Sequence, residues 1–145
     1  MFFLKDLPSA RMIEGYAAAH GVPAQAVGEA LTMMRRASLL IRRLESYFAD
    51  HGLSQLRFLF LIVIDREPDR ETLTVGEITD RLDVAGPVVA RTLRTLERDG
   101  LVAAAKDRSD ARAKHVRLTD EGHAMLERLL PGYFAILADE MDGAG

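Results

Sequence analysis

Two short helix signals set almost back to back constrain this chain more than any other feature in it. Thr74-Val75-Gly76-Glu77 has the spacing of a capping box, in which a threonine hydroxyl and a glutamate carboxylate each take up an otherwise unbonded backbone N–H at a helix start. Leu73 and Ile78 are placed around it as a hydrophobic staple, so a short helix is expected to run to about Leu82. After the turn Asp83-Val84-Ala85, Gly86 is expected as N-cap and Pro87 as the first helical residue, where a missing N–H costs nothing and the fixed φ suits a helix. Gly100 then ends this second helix as its C′ glycine. Two short helices joined by a tight turn, each with one apolar stripe, outline a helix-turn-helix. Val89, Leu93 and Leu96 form the inward stripe of the second helix. At about 100° per residue the opposite face carries Pro87, Arg91, Arg94 and Arg98, with Val88 and Thr95 beside it.

The rest of the chain organises around that unit. Residues 101–106 and 113–118 read as two strands flanking the charged tip Asp107-Arg108-Ser109-Asp110-Ala111-Arg112, the outline of a β-wing. Thr119 caps a final helix with a broad apolar stripe of Leu126, Leu129, Leu130, Tyr133, Phe134, Leu137 and Met141, and Pro131 is expected to kink or restart it. Upstream, Val27, Leu31, Met34, Ala37, Ile41, Leu44 and Phe48 recur at steps of three and four, giving one long amphipathic helix that closes near His51-Gly52. Its polar face carries Arg35, Arg36, Arg42 and Arg43. Ser54 caps the next helix, with Leu53 and Phe58 as its staple, and the nearly all-apolar run 58–64 implies burial on most sides before the helix stops ahead of Pro68. The expected fold is mainly α with a small β-wing: a winged helix-turn-helix lobe flanked by N- and C-terminal helices.

Composition narrows the chemistry. The 145 residues, 48% hydrophobic and 28% charged, contain no internal repeat or low-complexity tract and suit a single domain with a real core. With no cysteine there is no disulfide, thiolate zinc site, iron–sulfur cluster or thiol redox switch. His20, His51, His115 and His123 do not stand at zinc-ligand spacing, so neither a metal site nor a cofactor is expected. The apolar run 58–64 is far short of a membrane span, and Met1-Phe2-Phe3-Leu4 lacks the basic start and long apolar core of a secretory leader, so a cytoplasmic protein with no membrane partner is expected. A net charge of −3 argues by itself against a nucleic-acid partner. It hides an asymmetry: between Arg81 and Arg117 nine basic residues face five acidic ones, a local +4, which leaves −7 for the remainder.

The stretches Arg81-Leu82-Asp83-Val84, Pro87-Val88-Val89-Ala90-Arg91, Leu96-Glu97-Arg98-Asp99-Gly100-Leu101-Val102, Asp107, Asp110-Ala111-Arg112 and Val116-Arg117-Leu118-Thr119-Asp120-Glu121-Gly122 together resemble the MarR family of winged helix-turn-helix transcriptional regulators. The ordered set of recognition helix, Gly-Leu-Val, wing Asp-x-Arg and Leu-Thr-x-x-Gly is specific, though each piece alone is weak. The resemblance implies a homodimer whose segments 1–52 and 119–145 interlock, with 53–118 as the winged lobe, acting as a repressor on a pseudo-palindromic operator in double-stranded DNA. Arg91, Arg94, Thr95 and Arg98, with Pro87 and Val88, would meet phosphates and base edges in the major groove. Arg112 would enter the minor groove with Asp110 holding its guanidinium, while Arg108 and Lys114 neutralise the backbone. Met33, Met34, Tyr47 and Phe58 are the candidate lining of a cavity for a small aromatic or phenolic effector, against the plainer reading that they are ordinary packing.

Where the family often has Ser, Arg or Lys, Thr and Ser, this chain has Ala85, Gly86, Val88 and Ala90. The recognition helix thus loses polar groups at its start, which points to fewer phosphate contacts and a dependence on thymine methyls. The same apolar segment motivates a rival reading, a winged-helix protein-interaction module that has lost base reading. An enzyme is a poor fit: the chain has no Gly-x-Ser-x-Gly elbow, no glycine-rich phosphate loop and no acidic pair with an obvious pocket.

Overall fold

A computed structural model of the protein describes residues 2–110 and 113–143. The chain divides into two compact units, Met1–Ser46 and Tyr47–Gly145. In the first, α1 (Ala10–His20) is capped by Ser9, whose side chain accepts from the Met12 N–H, and closed by Gly21 in the left-handed region at φ 65°. The sequence reading places no helix in this stretch. Next, α2 (Ala24–Ala49) starts before Val27, because the Pro23 carbonyl already accepts from the Val27 N–H at 3.2 Å. The Arg35 guanidinium donates to the Leu4 carbonyl at 2.7 Å and so ties down the N-terminal segment.

The second unit takes in the last residues of α2 and continues with α3 (Gln55–Asp65), β1 (Thr72–Thr74), α4 (Val75–Arg81), α5 (Gly86–Arg98), β2 (Val102–Lys106), β3 (Lys114–Leu118) and α6 (Asp120–Asp142). Helix α3 is its hub, packed by α4, α5, α6 and β3. Phe58, Phe60, Leu61, Val63 and Ile64 are buried, as a run apolar all round requires. Phe58 stacks on Phe48 at 4.5 Å between ring centroids and meets Tyr133 at 4.7 Å. Each such side chain contributes roughly 1.5–3 kcal/mol on burial.

Two expectations are corrected. The wing is not a lone hairpin: β1 pairs antiparallel with β3, so the order is β1-β3-β2, and buried Leu73 lies opposite buried Val116. A two-stranded ribbon is marginal by itself, and the third strand gives it an apolar face. Helix α6 is also continuous through Pro131, so of the two effects expected there, a kink or a restart, the restart does not occur. The proline removes one N–H, that owed to the Glu127 carbonyl; both residues are exposed, where water can serve that group.

The expected stripe of α6 divides as well. Leu126 and Leu129 are buried in the core of this unit, whereas Phe134 and Met141 stay exposed. Tyr47 explains Gly132: its hydroxyl donates to the Leu129 carbonyl at 2.8 Å, which fixes the ring, and a Cβ at position 132 would collide with that ring.

Candidate nucleic-acid interface

Helix α5 presents the face the sequence predicts. Val89, Thr92, Leu93 and Leu96 are buried, and Pro87, Arg91, Arg94 and Arg98 are exposed, with Val88 and Thr95 half-buried at the margin. Its cap falls one residue earlier than expected. Ala85, not Gly86, is the N-cap, extended at φ −69° and ψ 151°, and its carbonyl accepts from both Val88 and Val89. Pro87 therefore sits in the second helical position, where its absent N–H is still one of the unbonded four. No side chain caps this end. The Thr92 and Thr95 hydroxyls donate back to the Val88 and Arg91 carbonyls, which leaves the Thr95 oxygen its acceptor capacity.

Charge on this face is unevenly committed. The Arg98 Nε pairs with Asp99 at 3.2 Å, and Asp99 also stands 3.8 Å from Arg57. Arg91 and Arg94 have no carboxylate partner among the described residues. Arg94 lines a cleft of about 510 Å³ with Thr74, Gly76, Ala90, Glu97 and Lys114, so the start of α4, the outer face of α5 and the base of the wing share one surface.

In the wing, Arg108, Asp110 and Lys114 are exposed, and Arg112, with Ala111, lies outside the described residues. Asp107 organises the tip. Its carboxylate accepts from the Ser109 N–H and hydroxyl, both at 2.9 Å, and from His115 Nε2 at 3.0 Å. These bonds, the imidazole's first, hold its pKa far below the usual carboxylate range. The backbone closes through Asp107 N–H to the Ala113 carbonyl at 2.9 Å and Ala113 N–H to the Asp110 carbonyl at 3.1 Å.

Two junctions fix these parts. At the start of α4 the capping box is complete: the Glu77 N–H donates to Thr74 Oγ1 at 3.1 Å and the Thr74 N–H to Glu77 Oε1 at 2.9 Å. Arg70 adds a two-pronged guanidinium contact, which with the Thr74 N–H pulls the Glu77 carboxyl down to about 2. At the root of the wing, the Thr119 hydroxyl donates to the Gly100 carbonyl at 2.6 Å and accepts from the Gly122 N–H at 3.0 Å. A Cβ at position 122 would collide with the Leu101 carbonyl oxygen. The Gly-Leu-Val and Leu-Thr-x-x-Gly motifs are thus two sides of one contact.

The proposed effector residues have different surroundings. Met33 and Met34 are exposed in the first unit, where Met34 lines an apolar cleft of about 430 Å³ with Phe2, Ile41, Arg42 and Glu45. In the second unit Phe58 is fully buried in the core and Tyr47 is half-buried, held by its bond to Leu129. The sequence reading missed Arg70 and His115 as the partners of Glu77 and Asp107. Both pairs join residues that no helix or strand period links. Among the described residues no helix is long and apolar enough to cross a membrane, and no cluster of three or more His, Asp or Glu could hold a metal.

Comparison with known proteins agrees with this geometry. The sequence model of the MarR family matches residues 51–113. The HTH-type transcriptional repressor YetL of Bacillus subtilis is 30% identical over 140 residues, 96% of this chain and 83% of its own length. Among solved structures, AbsC, a MarR family transcriptional regulator from Streptomyces coelicolor, shares the fold with a TM-score of 0.74 at 17% identity, over 84% of this chain and 80% of AbsC. The M. tuberculosis transcriptional regulator MosR, solved in complex with DNA, matches with a TM-score of 0.63 at 28% identity, over 80% of this chain and 81% of its own.

Proposed function

The chain belongs to the MarR family, and from that premise we propose that it is a transcriptional regulator, a homodimeric repressor of the cytoplasm that reads a pseudo-palindromic operator. The observation that carries this reading is the one surface shared by exposed Arg94 of α5 and Lys114 of the wing, with Arg91 exposed on the same helix, in a chain whose net charge is −3. Helix α5 enters the major groove. Arg91, Arg94 and Arg98 meet phosphates or guanine edges there, and Thr95, its hydrogen given to the Arg91 carbonyl, accepts at its margin. Arg108 and Lys114 neutralise the backbone, and Arg112, oriented by Asp110, enters the minor groove. Two copies place their recognition helices roughly 34–36 Å apart, one turn of duplex.

Dimerisation uses segments 1–52 and 119–145, whose exposed Phe3, Met12, Tyr16, Phe134 and Met141 supply the apolar surface. An aromatic acid or phenol that favours one spacing of the two lobes lowers operator affinity in proportion to its preference for that state. The uncapped apolar start of α5 makes Val88 and Ala90 readers of thymine methyls and keeps phosphate contacts few.

The test is selection of random duplex DNA on the purified protein at near-physiological salt. Enrichment of a pseudo-palindrome with half-sites about one helical turn apart supports the proposal. Weak, salt-sensitive binding without an enriched sequence overturns it in favour of the interaction module.

A further inference from the structure

Beyond β2 and β3 the hairpin has no ladder to hold it. The last paired residues are Lys106 and Lys114; past them two backbone bonds close the turn, Asp107 N–H to the Ala113 carbonyl and Ala113 N–H to the Asp110 carbonyl, and neither involves Arg108 or Ser109, whose course depends on side-chain bonds. Asp107 supplies those bonds. One carboxylate oxygen takes both the N–H and the hydroxyl of Ser109, which turns the backbone around Arg108, and the other takes His115 Nε2. The ring at the far end of this chain of bonds is part of the sheet. His115 lies in the central strand, opposite Thr74 of β1 and Ala105 of β2. Ala105 presents only a methyl group, so the imidazole can lie along the sheet toward Asp107, and the ring is itself half-buried.

We propose that His115 is a positioning residue of the wing: through Asp107 it sets the course on which Arg108 and Ser109 leave the rigid sheet, and so where the wing meets DNA. This rests on the DNA-binding reading for its purpose, but not for its mechanics. The donor is what matters, because an ionised acceptor makes this bond stronger than a neutral pair, and the carboxylate has no second donor on the strand side among the described residues. Arg108, exposed beside Asp107, reports the tip directly, since trypsin cuts after it only when the turn opens.

Three proteins decide the matter. His115→Phe keeps a ring of similar size and removes the donor, whereas His115→Gln places an amide N–H at a similar reach. In native-state proteolysis, cleavage after Arg108 is expected to rise about tenfold in His115→Phe and to stay within about twofold of wild type in His115→Gln. Affinity for the duplex pool retained by the wild-type protein is expected to fall several-fold in His115→Phe and to be kept in His115→Gln. If Phe leaves cleavage unchanged, or if Gln opens the tip as Phe does, the ring only fills space and the proposal fails. If the tip opens in Phe while affinity for the retained pool is unchanged, His115 does not position the wing for DNA, and the proposal fails again. A wild-type protein that retains no sequence overturns the function proposed above, while the proteolysis still decides whether His115 holds the tip.

Discussion

The two units of this molecule satisfy their apolar residues in opposite ways. The winged unit encloses Phe48, Phe58, Phe60, Leu61, Leu73, Ile78, Leu96, Leu126 and Leu129 completely. The first unit buries only Ala17 and Leu44 among its described residues, and leaves Phe3 86%, Tyr16 74% and Met33 66% exposed. Single exposed apolar residues are normal, but nine large ones in a segment this short are not. One unit has a core of its own; the other has the surface of something that expects to be covered. A second copy of the chain is the covering proposed here.

The sharpest way to break that contrast is to place the same charge in each region. Leu129→Asp puts a carboxylate into a closed core, at a cost of about 4 kcal/mol or more against a total stability of roughly 5–15. The expected result is loss of the cooperative melt and of native far-UV circular dichroism. Met33→Asp places the charge on an exposed site, which costs the folded monomer within about 0.5 kcal/mol. Its expected result is a folded monomer in sedimentation with tight DNA binding lost. An unchanged dimer in Met33→Asp means that this surface is not where the copies meet.

Within the winged unit, Gly122→Ala is the next largest effect. The new methyl meets a backbone carbonyl, which cannot rotate away as a side chain does, so about 1–3 kcal/mol is expected. The measurement is the denaturant midpoint. A midpoint within error of wild type means the start of α6 shifts without cost, and the Thr119 to Gly100 bond is looser than its 2.6 Å implies.

These contrasts also mark what a sequence discloses. Ser54, Thr74 and Thr119 are legible as caps because the bonds they make close within three residues, and each accepts the N–H that the spacing implies. The face of α5 is legible for the same reason, since helical period alone separates Leu93 from Arg94. Strand β1 is not: three residues carry too short an alternation, and its partner strand lies far along the chain. The cap of α5 slipped by one because neither Ala85 nor Gly86 has a side chain to declare itself. Period shows that Leu129 and Phe134 share an apolar stripe, yet only packing decides that one is core and the other surface. The partners of Asp107 and Glu77 come from other elements, so no local rule points to His115 or Arg70.

Charge gives a milder comparison between the same regions. Arg91→Ala removes an exposed cation of the reading face, and affinity is expected to fall by about 1–3 kcal/mol if it reads a base. Lys5→Ala, exposed in the first unit, is expected to leave affinity unchanged. Arg112→Ala is expected to behave as Arg91→Ala does. Equal losses for Lys5 and Arg112, by titration at one fixed salt concentration, would mean that the polyanion is met by net charge and not by a wing.

The smallest effect compares the two helix starts. Helix α1 is capped by the Ser9 hydroxyl alone, with no acidic residue in its first turn, whereas α4 adds the Glu77 carboxylate and its Arg70 partner. Only the second can titrate. Because folding holds the Glu77 carboxyl at about 2 against an ordinary 4.5, its contribution is fully present above 4.5 and is lost as the pH falls toward 2. The difference in melting temperature between wild type and Glu77→Gln should therefore be constant from about pH 8 to pH 5 and shrink below that, while the difference for Ser9→Ala has no such acid limb. Both partners are partly exposed, so the shift is small in water and smaller still in high salt. A Glu77→Gln difference that persists unchanged to pH 2 would assign the cap to its neutral hydrogen bonds and make the guanidinium incidental.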